Sequence, residues 1–140
     1  MTNADKIRDF HAAINGVAMP TRPTVPALDL LLLRQKLVDE EYEEVTAAFH
    51  ELAEKVGGSG EVATADLTPL VHELTDLLYV TYGAILSCGV DPDAVFAEVH
   101  EANMRKTTGP RRADGKQLKP EGWQPADVRG VLADLEVVSG

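Results

Sequence analysis

Five carboxylates have the spacing of a cation site: Glu40, Glu41 and Glu44 within Leu37–Val45, and Glu73 and Asp76 in Glu73-Leu74-Thr75-Asp76. Both stretches lie in helical patterns, and both put acids where a helix should be apolar. At about 100° per residue, Leu30, Leu37, Val38, Val45, Ala48, Leu52 and Val56 form one stripe of a helix. Glu41 points into that stripe, and Glu40 and Glu44 fall along its border. On the following helix Leu70, Leu74, Leu77, Val80, Ala84 and Cys88 make the inner face, with Glu73 inside the arc and Asp76 at its edge. An ionised carboxylate removed from water is costly unless it is paired or bound to metal. Arg34 lies near the stripe and can pair with one acid, too few to neutralise five. Four or five such groups converging between two helices therefore require divalent cations. Glu43, on the far side, is a solvated surface acid.

The elements that must position these groups follow from caps and breakers. Thr2 or Asn3 can cap a first helix bearing Ile7, Phe10, His11 and Ile14, which Asn15-Gly16 ends. Pro20, Pro23 and Pro26 keep the next segment extended, and nothing then interrupts a long helix from Ala27 to Val56. Gly57-Gly58-Ser59-Gly60 closes it with a flexible link. A third helix starts between Ala65 and Pro69, capped by Thr64, Asp66 or Thr68, and runs to Ser87 or Cys88, where Gly89 stops it. Asp91-Pro92-Asp93 opens a fourth, whose buried side is expected to carry Val95, Phe96, Val99 and Met104. A short helix from Ala126 to about Leu135 ends the pattern. No strand is convincing. The expectation is an all-α, four-helix-bundle-type fold with a short C-terminal helix.

The chain has 140 residues, which predicts a single domain spanning 1–140. An apolar content of 44% excludes a disordered chain, and a formal charge of −10 argues against a general nucleic-acid binder. Cys88 is the lone cysteine, so neither an internal disulfide nor a cysteine zinc site is available. His11, His50, His72 and His100 lack ligand-pair spacing, and each reads as a surface or interface residue. No apolar signal core or membrane-length run is present, so cytoplasmic placement is the default, with no membrane partner.

Against the acidic background, Arg105, Lys106, Arg111, Arg112, Lys116 and Lys119 are opposed only by Asp114. The turn pairs Gly109-Pro110 and Asp114-Gly115 make residues 106–125 a basic C-terminal loop and not a helix face. Trp123 reads as the residue packing this tail onto the bundle. Carboxylates that hold Mg²⁺ and a basic loop that holds anions together suit a diphosphate group. No P-loop and no Ser-His-Asp or Cys-His nucleophile is present. Water activated by metal and carboxylate is the chemistry that remains.

At these residues the sequence resembles a family. Glu40-Glu41-x-x-Glu44 followed by Glu73-x-x-Asp76 is similar to the signature of MazG-like all-α nucleoside triphosphate pyrophosphohydrolases, and Asn103-Met104-Arg105-Lys106 resembles their Asn-x-x-Lys. The tail Asp114-Gly115-Lys116…Lys119…Trp123 resembles that of bacterial MazG-like dUTP diphosphatases. The resemblance implies hydrolysis of dUTP between the α- and β-phosphates, with two or more Mg²⁺ or Mn²⁺, in a homodimer or dimer of dimers. It implies that Glu41, Glu44, Glu73 and Asp76 ligate metal, and that Glu40 holds a further metal or its water. It makes Glu41, or else Glu40, the general base. Asn103 and Lys106 would hold sugar or phosphate, and Arg111, Lys116 and Lys119 of the basic loop would neutralise phosphates. Phe10 and His11 are candidates for the nucleobase.

Two enzymatic alternatives stand beside dUTP: a housecleaning pyrophosphatase for dCTP or modified nucleotides, and a phosphoribosyl-ATP pyrophosphohydrolase. The second is disfavoured by the lack of a biosynthetic partner domain. A third alternative is a non-catalytic metal- or nucleotide-binding helical module.

Overall fold

The computed structural model describes residues 1–16 and 18–138. Among the described residues there are five α-helices: α1 (Asn3–Asn15), α2 (Leu28–Gly57), α3 (Thr68–Ser87), α4 (Pro92–Met104) and α5 (Val128–Val138). Among the described residues there is no strand, only an isolated antiparallel bridge between Arg111 and Gln117 in the C-terminal loop. The fold is all-α, as expected. No described helix is long and apolar enough to cross a membrane.

Local chemistry accounts for most boundaries. Thr2 and Asp5 form a reciprocal capping box at α1: the Thr2 hydroxyl accepts from the Asp5 N–H at 3.1 Å, and the Thr2 N–H donates to Asp5 Oδ2 at 2.8 Å. Gly16, at φ 65°, ends the helix in the left-handed region. Asp91 caps α4 by accepting from the Asp93 N–H at 3.0 Å, with Pro92 in the first turn. The start of α3 differs from expectation. A 3₁₀ turn, Thr64–Leu67, leads directly into it, and no side chain caps the helix. Asp66 is committed elsewhere, accepting from the Ala63 N–H at 2.9 Å and pairing with Lys55 at 3.3 Å. It thereby ties the turn to the end of α2.

The most extensive pairing is α2 against α3, with α1 laid on α3. Ala4, Ile7 and Leu86 form the tightest core, with Met19 and Tyr82 packed against them. Val45, Ala48 and Leu70 are buried further along the α2–α3 seam. Val56, the last residue of the α2 stripe, is exposed beyond the end of this seam. The proline-rich segment does more than span a distance. Thr24 N–H donates to the Cys88 carbonyl at 2.8 Å, strapping the segment across the end of α3. Gly89 sits under that strap at φ +67°, where a Cβ would stand 1.8 Å from the Arg22 carbonyl oxygen. Only glycine fits there.

The expected buried side of α4 is a correction. Phe96 is 73% exposed and Met104 54%, Val99 is exposed as well, and only Val95 is partly covered. The helix has the amphipathic pattern of a core helix, but it packs mainly on α5 and touches α3 only lightly. Nothing among the described residues covers this face.

Candidate active site

The α2–α3 seam brings the acids together. One oxygen each from Glu41, Glu73 and Asp76 lies within 4.8 Å of the others. Glu44, one turn after Glu41, is close enough to both Glu41 and Glu73 to share a proton with either. Oε2 of Glu41 and Oε2 of Glu73 are buried with no hydrogen-bond partner. Buried polar atoms are nearly always satisfied, so two orphaned oxygens in one acidic group need an occupant. The donors are all oxygen, which suits a hard divalent cation.

Electrostatics agree with the geometry. Burial, then the charges of Glu44, Asp76 and Glu40, raise the Glu41 carboxyl above the ordinary range. Glu73 is raised first by its hydrogen bond with Glu44, then by burial and by the Glu44 charge; His72 opposes this and Asp76 adds to it. Glu40 is exposed and reaches the group only through its field on Glu41. His72, which the sequence reading placed on the surface, is indeed exposed, but its Nε2 lies 3.2 Å from Asp76 Oδ2. The i, i+4 spacing of His72 and Asp76 on one helix was the available signal for that pair.

Beside the acids opens a cavity of about 640 Å³ lined by α1, α2 and α3, with Glu41 and Asp76 in its wall and apolar side chains such as Leu30, Leu33 and Leu37 around them. Phe10 and Tyr79 meet edge to face in it, with ring centroids 5.6 Å apart. His11 also lines it but is only 6% exposed, a correction to its reading as a surface residue. A glycine opposite makes this burial possible: a Cβ on Gly83 would stand 3.1 Å from His11 Nε2. Arg34 pairs with no acid among the described residues. Its Nε donates to Ser87 Oγ at 2.8 Å, and an NH2 group approaches His11 Nδ1 at 3.4 Å. Burial and the Arg34 charge lower the His11 pKa, so the ring is held neutral.

The phosphoribosyl-ATP pyrophosphohydrolase family model matches residues 7–103, which contain the whole acidic group and the cavity. The chain belongs to this family. It is therefore a pyrophosphohydrolase, a hydrolase of phosphoric anhydride bonds, and the family typically depends on divalent metal. The sequence alone disfavours a phosphoribosyl-ATP pyrophosphohydrolase against dUTP; the match places the chain in that family, within the wider all-α MazG-like group. No curated protein matches the chain.

The phosphate- and sugar-binding residues expected at the site lie outside the matched span, apart from Asn103 at its edge. Lys106 Nζ donates to Asn103 Oδ1 at 2.8 Å. Trp123 Nε1 donates to the Ala102 carbonyl at 2.8 Å, fastening the loop to α4. Lys106 and Lys119 stand 4.9 and 4.8 Å from the Trp123 ring centre. The Gln117 side-chain amide donates to the carbonyls of Lys106 and Gly109, which closes the loop around itself. Arg112 pairs with Asp114, and Arg111 and Lys116 follow the same turn. No ion pair joins Lys106, Arg111, Lys116 or Lys119 to the acids among the described residues.

Proposed function

We propose that the protein is a Mg²⁺-dependent nucleoside triphosphate pyrophosphohydrolase that cleaves the α–β bond of a deoxynucleotide, dUTP first among them, to the monophosphate and pyrophosphate. The observation that carries the reading is the pair of orphaned, buried carboxylate oxygens of Glu41 and Glu73 beside Asp76. Glu41, Glu44, Glu73 and Asp76 would hold the cations, two or more, with Glu40 at the margin. When bound, the cations supply charge neutralisation for the phosphates and a lowered pKa for water.

The chain's own residues then have separable tasks. Glu41 takes the proton of the attacking water, since its raised carboxyl sits nearer the working range of a base than the exposed Glu40 does. The apolar cavity wall excludes water from the nucleoside. Asn103, Lys106, Arg111, Lys116 and Lys119 bind phosphate or sugar, and His11 and Phe10 belong to the nucleoside end of the cavity.

The reading includes a homodimer, with helices shared across the interface as the resemblance implies. The uncovered Phe96, Val99 and Met104 face of α4 supports this, as do Leu31, Leu32 and Leu33 exposed on α2. The dUTP preference rests on the tail from Asp114 to Trp123.

The test is product analysis with purified protein, Mg²⁺ and a panel of dUTP, the other deoxynucleoside triphosphates, ATP and phosphoribosyl-ATP. Monophosphate plus pyrophosphate, abolished by chelator and by Glu73→Ala, supports the reaction. Fastest turnover of dCTP or of phosphoribosyl-ATP would replace dUTP. Orthophosphate release, or cation binding without turnover, would reject the reading in favour of another hydrolase or a sensor module.

A further inference from the structure

The cavity has two ends. Glu41 and Asp76 mark one. Arg34, two turns earlier on α2 and so about 10 Å away along the axis, marks the other. Arg34 is half-buried, and no carboxylate neutralises it among the described residues. It is instead braced from behind. Ser87 accepts from its Nε at 2.8 Å while giving its own hydroxyl proton to the Gly83 carbonyl at 2.7 Å. Because a guanidinium only donates, the 3.4 Å contact makes His11 Nδ1 an acceptor and puts the His11 proton on Nε2. Two of the five guanidinium N–H groups are used in this way, which leaves three for a ligand.

We propose that Arg34 reads the nucleobase, and that it selects rings whose pairing edge carries a carbonyl where cytosine and adenine carry an amine. This rests on the nucleotide reading above. A polyphosphate belongs at the acidic end with its cations. Leu30, Leu33 and Ile14 beside Arg34 make an apolar slot that suits a planar ring and not a polyanion. The Phe10–Tyr79 pair offers that ring an aromatic wall. A carbonyl oxygen satisfies the guanidinium donors, whereas an amine leaves donor facing donor at a half-buried guanidinium, an arrangement that discriminates against the amine.

The experiment compares kcat/KM for dUTP and dCTP, and calorimetric binding of dUMP and dCMP with Mg²⁺, in the wild type, Arg34→Gln and Arg34→Lys. The wild type is expected to favour the uracil ligands in both measurements. Arg34→Gln, whose amide donates and accepts, should lose about 10- to 100-fold on dUTP, with dCTP little changed, so that the ratio collapses. Equal losses on both substrates would make Arg34 a phosphate clamp or a structural residue and overturn the proposal. If no nucleotide is turned over, the pyrophosphohydrolase reading fails on its own, and the monophosphates still decide: equal affinity, or none, overturns the role of Arg34. If Arg34→Gln does not fold, Arg34→Lys, whose ammonium also only donates, should keep a preference for the uracil ligands; loss of that preference would overturn the proposal.

Discussion

Gly89→Ala isolates what the proline-rich strap does for the fold. An L-residue at φ +67° costs about 1–2 kcal/mol in backbone strain. The new methyl also meets the Arg22 carbonyl oxygen at 1.8 Å, far inside contact, with Pro20 Cβ at 3.1 Å. The strap must lift, and lifting breaks the 2.8 Å Thr24 N–H bond to the Cys88 carbonyl, worth about 1 kcal/mol net. Alanine recovers roughly 0.5 kcal/mol by restricting the unfolded chain. The expected net loss is about 1.5–2.5 kcal/mol, which at this chain length lowers Tm by roughly 5–8 °C. Gly115→Ala is the control: its φ is +89° with nothing within 4 Å of the added methyl, so only the backbone cost applies. Thermal melts at one fixed protein concentration, with denaturant unfolding alongside, measure both. Equal losses in the two variants, or a Gly89→Ala loss under about 0.5 kcal/mol, would refute the strap.

The acidic group makes further predictions. Glu41 and Glu73 are raised in the folded chain, so it holds their protons more tightly than the unfolded chain does. Their contribution to metal-free stability therefore falls as pH rises above the ordinary value of 4.5. Melts across that range should show the wild type losing stability relative to Glu41→Gln; parallel curves would contradict the crowding. At a Mg²⁺ concentration 100 times its Kd, Tm should rise by the equivalent of about 2.7 kcal/mol, and chelator or Glu73→Gln should remove the rise. Glu41→Gln should cut kcat by about 10²–10⁴-fold and more deeply than Glu40→Gln does; the reverse order in steady-state kinetics would move the base to Glu40. Phe96→Glu should turn a particle of twice the 15.1 kDa chain mass into a monomer by light scattering, and an unchanged mass would remove α4 from the interface.

How far the molecule could be read from its residues depended on whether the deciding interaction was local. Thr2, Gly16 and Asp91 announce their helix ends because caps act within one turn. Glu41 and Glu73 stood out because an acid on an apolar stripe contradicts its own neighbourhood, and their orphaned oxygens are the structural form of that contradiction. Arg34 could not be placed in this way. Its partner Ser87 is 53 residues away, and serine gives no sign in a helical pattern of which donor it will meet. His11 looked like a surface residue because the room it needs comes from the missing side chain of Gly83, on another helix. The α4 face misled for a different reason. Periodicity tells that a stripe wants cover, but not whether the cover lies within the same chain.

The fastening of the basic loop has a spectroscopic consequence. Trp123 is the chain's only tryptophan, half-buried, bonded through Nε1 to α4 and flanked by two ammonium groups. All indole emission therefore comes from one place. An anion that draws Lys106 or Lys119 off the ring changes the field across it and shifts that emission. The protein thus has a built-in optical reporter of anion capture, without a label.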